Sequence, residues 1–343
     1  MEQRLTKLWY RADSGASLLQ PLGWIYGGMM RLRRRAYSRG WLTSYRVGKP
    51  VVIVGNLTVG GTGKTPLVIW LARQLAERGL KAGIVSRGYG GRAQNEPQLV
   101  GEKSSWREVG DEPVLLAHAT RCPTVVGRDR VAAARTLVAR GVDVILSDDG
   151  LQHLRLARSC ELVVVDGSRG FGNSRVLPAG PLREPIGRLA GVDLVVVNGA
   201  VEHRSLQSLD SLINPSRAVR MTLLPGAAVR VDAREERRAL ESFRGQPVHG
   251  VAGIGNPGRF FRDLRGQGLE VIEHPFPDHH AFARADVTFA DDLPVLMTEK
   301  DAVKCVTFAH PRLWFVPTAV AFGEPQAREV LEHVLRKITD DGG

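Results

Sequence analysis

A lysine and a threonine, Lys64-Thr65, close the glycine-rich run Gly60-Gly61-Thr62-Gly63. Those residue types in that order suit the holding of a nucleotide's phosphates. Glycines let a loop turn through positive φ and approach an anion closely, and successive backbone N–H groups at a helix start form a positive concavity. The Lys64 ammonium would reach the β/γ-phosphates, and the Thr65 hydroxyl would bind Mg²⁺. Such a loop must hang between a strand and a helix. Val51-Val52-Ile53-Val54 is a β-branched apolar run that reads as the strand, and residues 66–78 carry a helical pattern. Thr58, Val59, Gly60, Gly61, Thr62, Gly63, Lys64 and Thr65 are accordingly assigned to the nucleotide. The strict pattern G-x-x-x-x-G-K-S/T fails at one position, because Thr58 stands where its first glycine belongs.

Acidic and basic residues at other strand ends could complete a phosphate chemistry. Residues 142–147 form a strong buried-strand pattern that ends in Asp148-Asp149. An apolar strand ending in Asp is the partner a phosphate loop expects, since it holds Mg²⁺ or its water; the competing reading is a pair of turn residues. Arg183-Glu184, enclosed by Pro181 and Pro185, is a rigid way of presenting an arginine to phosphate. Ser86-Arg87-Gly88-Tyr89 follows another strand, at the end where open α/β sheets bind ligands. Asp111 opens an apolar helix, either as a capping carboxylate or as a general base. Asp278-His279-His280 could be a metal site, but no second His/Cys cluster lies nearby in sequence, which favours proton handling or phosphate contact.

Uninterrupted β-branched strands alternating with helical patterns imply a parallel sheet covered on both faces. The fold expected is α/β, a P-loop NTPase-like parallel sheet with helices on both faces, followed by a second, smaller α/β domain. Residues 50–220 are assigned to the core and 221–343 to the smaller domain, with the C-terminal helix (324–338) able to pack back on the core. Residues 93–108 read as a polar loop, and Trp314-Phe315-Val316 as the last strand. The 343 residues are 43% hydrophobic and 24% charged, a globular composition. Cys122, Cys160 and Cys305 are far apart and odd in number, which argues against a disulfide framework or a zinc site.

The net charge of +11 is concentrated in residues 1–49, where ten Lys/Arg face two acids, Glu2 and Asp13, so that +8 of the excess lies there. Leu5, Leu8 and Trp9 repeat at helical spacing. A second apolar-aromatic stretch, containing Trp24-Ile25-Tyr26, runs into Arg31-Leu32-Arg33-Arg34-Arg35. It is too short and too polar to span a bilayer, and its basic cluster follows its apolar part, unlike a signal peptide. Trp and Tyr beside arginines suit an amphipathic helical arm lying on an anionic membrane surface. The alternative is a helical hairpin packed on the core with its arginines in water. No nucleic-acid module accompanies the basic run, so nucleic acid is not expected as a partner, and no obligate protein partner is indicated.

Seven motifs in order resemble the tetraacyldisaccharide 4′-kinase family of lipid A synthesis. They are Gly55 to Pro66, including the missing first glycine, Ser86 to Gly90, Val109 to Pro113, Asp148 to His153, Gly180 to Pro185, Asp278 to His280, and Thr298 to Asp301. The resemblance implies ATP and Mg²⁺ as cofactors and phosphorylation of the 4′-hydroxyl of a lipid disaccharide 1-phosphate at the cytoplasmic face of the bacterial inner membrane. It implies Asp111 and His279 as a catalytic dyad, with Lys64 and Arg183 on the transferring phosphate. It also implies Thr65, Asp148, Asp149 and Glu184 around the metal, and Ser86, Arg87, Tyr89, Gln152 and His153 on the acceptor. Two rivals remain. One is a deviant-Walker ATPase switch, disfavoured because its signature lysine is absent at Thr58-Val59. The other is a soluble small-molecule kinase, disfavoured by the arm.

Overall fold

The computed structural model describes residues 9–10, 15–92, 96–207, 209 and 213–341. Leu5 and Leu8 of the first arm repeat, and residues 93–95, lie outside the described residues.

In chain order, β1 (Val51–Gly55), β2 (Ala82–Ser86), β3 (Gln98–Val100), β4 (Thr124–Val126), β5 (Val144–Asp148), β6 (Cys160–Asp166), β7 (Leu194–Asn198) and β8 (Ala218–Pro225) all enter one sheet. Next, β9 (Ala228–Arg230), β10 (Arg237–Arg238), β11 (Pro247–Ala252), β12 (Glu270–Pro275), β13 (Val295–Thr298) and β14 (Leu313–Val316) build a smaller one. The chain then returns to the larger sheet with β15 (Thr318–Phe322). The larger order is β15-β8-β7-β6-β1-β5-β2-β4-β3, parallel throughout except at the two edge strands, β15 and β3.

β1, β2, β4, β5, β6 and β7 are buried at every position because helices cover both faces, whereas the edge strand β3 and β8 alternate with exposed residues. Along β1 the side chains alternate. Val51 and Ile53 enter the core beneath α4 (Arg130–Val138), while Val52 and Val54 enter the core beneath α2 (Lys64–Ala76). The second core is closed by α6 (Glu324–Asp341), which buries Val330, Val334 and Ile338 against it. Parallel pairing brings Gly55, Ser86, Asp148, Asp166 and Asn198 to one edge, the carboxyl ends of the strands.

Three features differ from the sequence reading. The boundary expected at residue 220 falls inside β8, and residues 318–341 rejoin the larger sheet, because β15 pairs antiparallel with β8. The polar stretch 93–108 contains β3 and a one-turn helix, Trp106–Val109. The last strand is β15, not Trp314–Val316.

The arm forms α1 (Gln20–Ser38). Gly23 and Gly27 face the body, where a Cβ on Gly23 would stand 3.2 Å from the Val176 carbonyl oxygen. Arg33 also turns inward and donates to the Gln152 carbonyl at 3.0 Å. Leu18, Leu22, Ile25, Met29 and Leu32 recur at steps of four and three along the opposite, exposed face, with Trp24 68% exposed beside them. This reverses the packed hairpin considered from sequence: the apolar side faces out and two arginines, Arg33 and Arg34, lie half-buried. Among the described residues no helix is long and apolar enough to cross a membrane.

The return of α6 to the larger sheet makes a prediction. Ile338→Ala should lower stability by about 2–5 kcal/mol, read as a fall in urea midpoint of the large-sheet transition; an unchanged midpoint would remove α6 from the core.

Candidate active site

The phosphate loop is shaped by what it packs on. The Val59 N–H donates to the Pro181 carbonyl at 2.9 Å, the Arg183 N–H donates to the Leu57 carbonyl at 2.6 Å, and Thr58 bridges Leu182. The first half of the loop is therefore an extended segment against residues 181–183, which explains why Thr58 can replace a glycine. Thr58 is buried and the Val59 N–H is paired with the Pro181 carbonyl, so of the eight assigned residues these two line the loop's packed wall. The positive φ values fall at Gly60 and Gly63, and Gly63 caps α2 at φ 98°. A Cβ there would stand 2.6 Å from Asn198 Nδ2, so only glycine fits.

Lys64 lies 3.5 Å from Asp149 Oδ1, and Arg183 Nη1 donates to both Asp149 oxygens at 2.8 and 2.9 Å. Burial opposes ionisation of Asp149, but Lys64 and Arg183 outweigh it and hold the carboxyl well below its usual range. Asp148 is the opposite case. It is 1% exposed and neither of its oxygens has a hydrogen-bond partner. Burial, and next the Glu112 charge, push it up to about 7. A buried carboxylate without a partner is costly, and a cation is what would relieve it. Asp148 is thus the carboxylate best suited to Mg²⁺, and the Thr65 hydroxyl joins it by its place after Lys64 in the loop. Asp149 is taken by Lys64 and Arg183. Glu184 accepts from Gln152 at 3.1 Å and lies 3.6 Å from Arg188. Among the described residues no three His, Cys, Asp or Glu side chains form a ready cage. Mg²⁺ at phosphoryl-transfer sites is bound largely by phosphates and water, with one or two carboxylates.

The dyad expected from the resemblance comes together across the two sheets. His279 Nδ1 lies 3.0 and 3.1 Å from the Asp111 oxygens. Asp111 is the first residue of α3 (Asp111–Thr120), and its Oδ1 also accepts from the Glu112 N–H at 2.9 Å. It is therefore both a helix-terminal acceptor and a site carboxylate. Burial opposes its charge; His279, Lys300 and Lys304 overcome that and hold it far below the ordinary carboxyl range. His279 is raised, with Asp111 outweighing burial. Tyr89 is half of an aromatic pair with His279, ring centroids 4.9 Å apart. Asp149 and His279 are two of only four non-glycine residues with positive φ among the described residues, at 49° and 59°. Backbone strain of this kind collects at functional sites.

Lys304 and Arg130 escaped the sequence reading. The fully buried Lys304 ammonium lies 3.3 Å from Asp111 and 2.9 Å from Asp301. Arg130 is 3% exposed, with Nε and Nη1 unpartnered. Burial, then Arg130 and Arg87, depress His153 to about 4, so its ring is neutral at pH 7. No local pattern singles out either cation; an i,i+3 Asp301-to-Lys304 spacing was the one available hint. Ser86 is buried at the end of β2 and Arg87 is exposed beside it.

Asp148 favours folding only while protonated, because its folded pKa lies above the 3.8 of an ordinary carboxyl. That contribution is complete below the ordinary value and is lost as pH rises through 7. Asparagine mimics the protonated form. In metal-free buffer, the urea midpoint of Asp148→Asn should draw ahead of the parent's by a margin that grows as pH rises from ~4 to ~7 and is constant above that. A parent more stable than the variant at the higher pH would mean that the carboxylate is charge-paired.

Known proteins share this sequence and fold. The family model for tetraacyldisaccharide-1-P 4′-kinase matches residues 15–336. The tetraacyldisaccharide 4′-kinase of Alkalilimnicola ehrlichii is 51% identical over 336 residues, 97% of each chain, and that of Nitrosococcus oceani 48% over 328 residues, 95% of this chain and 93% of the relative. The crystal structure of LpxK from Aquifex aeolicus in complex with ATP superposes with a TM-score of 0.79 at 27% identity, covering 94% of this chain and 99% of that one. With its loop, its acidic strand end and its Asp-His pair in place, the chain belongs to the tetraacyldisaccharide 4′-kinase family, kinases of lipid A biosynthesis.

Proposed function

We propose that this protein transfers the γ-phosphoryl group of ATP to the 4′-hydroxyl of tetraacyldisaccharide 1-phosphate, giving lipid IV-A, at the cytoplasmic face of the inner membrane. The observation that carries this reading is the Asp111–His279 pair of 3.0 Å, built from both sheets, beside the Lys64–Asp149–Arg183 cluster. The acceptor oxygen attacks the γ-phosphorus, the bond from that phosphorus to the β–γ bridging oxygen breaks, and ADP leaves. Asp111 takes the hydroxyl's proton. Its low basicity is tolerable because bond formation to a loose, metaphosphate-like transition state needs little deprotonation beforehand. His279 and Lys304 hold the Asp111 carboxylate in place and ionised. Lys64 and Arg183 neutralise charge building on the phosphoryl oxygens. Bound through Asp148, Thr65 and the phosphates, Mg²⁺ would add charge neutralisation there. Arg87 and Arg130 are cations near enough to depress His153, and they suit the acceptor's 1-phosphate.

The acyl chains of such an acceptor stay in the bilayer, and α1 offers a way to meet them. Its exposed Ile25, Met29 and Leu32 would lie in the interface, with Arg31 and Arg35 near anionic headgroups.

Incubating the protein with labelled ATP and the disaccharide 1-phosphate in detergent should yield a doubly phosphorylated lipid, and Lys64→Ala should yield none. Label in inorganic phosphate alone would point to an ATPase instead. Ile25→Ser combined with Met29→Ser, both surface changes, should reduce sedimentation with anionic vesicles several-fold while leaving the melting temperature unchanged. Undiminished sedimentation would remove α1 from the membrane contact.

A further inference from the structure

The buried side chain of Asn198, at the end of β7, uses both ends of its amide. Its Nδ2 donates to the Thr62 carbonyl at 2.9 Å, and its Oδ1 accepts from Arg259 Nη2 at 3.0 Å. Thr62 is in the phosphate loop. Arg259 is in α5 (Pro257–Gly266), which belongs to the smaller sheet's unit. The two units also touch just beside this pair. A Cβ on Gly255 would stand 2.7 Å from the Gly61 nitrogen, so the turn before α5 lies directly on the loop, and Arg169 Nη1 reaches the Gly255 carbonyl at 3.4 Å.

We propose that Arg259 is a positioning residue that shapes the phosphate loop through Asn198. A trans peptide is planar, with its C=O and N–H pointing in opposite directions. Drawing the Thr62 carbonyl toward Asn198 therefore turns the Gly63 N–H the other way, into the cradle, one residue before Lys64. That aim depends on which end of the Asn198 amide faces Thr62. Turned around, Oδ1 would meet the Thr62 carbonyl oxygen, acceptor against acceptor, and Nδ2 would meet the Arg259 cation. Arg259 accordingly fixes the amide in its productive orientation. The unit that brings His279 to Asp111 thus also sets a phosphate-binding donor on the loop.

This inference rests on the loop binding ATP. Direct ATP binding to the full-length protein, without acceptor, tests it in Arg259→Ala, Arg259→Lys, Asn198→Ala, Asn198→Asp, the Arg259→Ala/Asn198→Ala double variant and Lys64→Ala. Arg259→Ala and Asn198→Ala should each weaken ATP about tenfold, the equivalent of one charge-assisted hydrogen bond. The double variant should be no weaker than the worse single one, because both break the same relay. Asn198→Asp still pairs with Arg259 but offers no donor to Thr62, so it should bind ATP as poorly as Asn198→Ala. Arg259→Lys, which retains a donor and guards against misfolding of the alanine variant, should recover part of the loss. The acceptor KM should stay within about twofold, since neither residue is among those assigned to the acceptor. Losses that multiply in the double variant, or Asn198→Asp binding ATP like the parent, would overturn the relay. Lys64→Ala binding ATP like the parent would instead overturn the nucleotide reading itself.

Discussion

Parallel pairing of β1 with β5 sets Val54 opposite Asp148, and the chemistry of the molecule depends on that register. It ends two strands side by side, one turning into a loop of N–H donors and the other into two adjacent carboxylates. The donors need an anion and the carboxylates need cations. Lys64 and Arg183 satisfy Asp149, while Asp148 stays buried and unpartnered. An arrangement so costly to the folded chain alone is what a site prepared for a bound cation and phosphates looks like. The dense cores on either face of the larger sheet supply the stability against which this strain is held.

The second carboxylate centre obeys the same electrostatics with a different outcome. Asp111 is as deeply buried as Asp148, but it has His279 and Lys304 from the smaller sheet's unit within 3.0–3.3 Å. One aspartate is held strongly acidic and the other is pushed toward neutrality by the same low-dielectric surroundings; neighbouring charge decides between them. Glu112 connects the two, pairing with Lys300 at 3.0 Å while raising Asp148. Asp111 and Asp148 are thus coupled through one helix start.

The arm reverses the usual arrangement of a surface helix. Gly23, Gly27 and Arg33 face protein, and its leucine-isoleucine-methionine stripe faces out. That orientation is coherent where the solvent on the outer side is a lipid interface. The inward Arg33 also ties the helix to Gln152, which bonds Glu184 in the loop that carries Arg183.

Sequence alone determined what short-range patterns encode. The β-branched runs specified the parallel strands, because two-sided burial selects such residues at every position. The glycines before Lys64 specified the loop, because positive φ and close backbone approach exclude other side chains. Strand-terminal Asp148 and helix-terminal Asp111 were legible from their positions at element ends. Tertiary structure decided the partners. Lys304 and Arg130 carry no local mark, since a buried cation is defined by the carboxylate that packing brings to it. The pairing of Asn198 with Arg259 joins residues 61 positions apart. The return of β15 to β8 depends on an open edge of a sheet begun far earlier in the chain. The outward face of α1 was open between two readings because helical spacing fixes which residues share a face, and only the surface it packs on decides which face is buried.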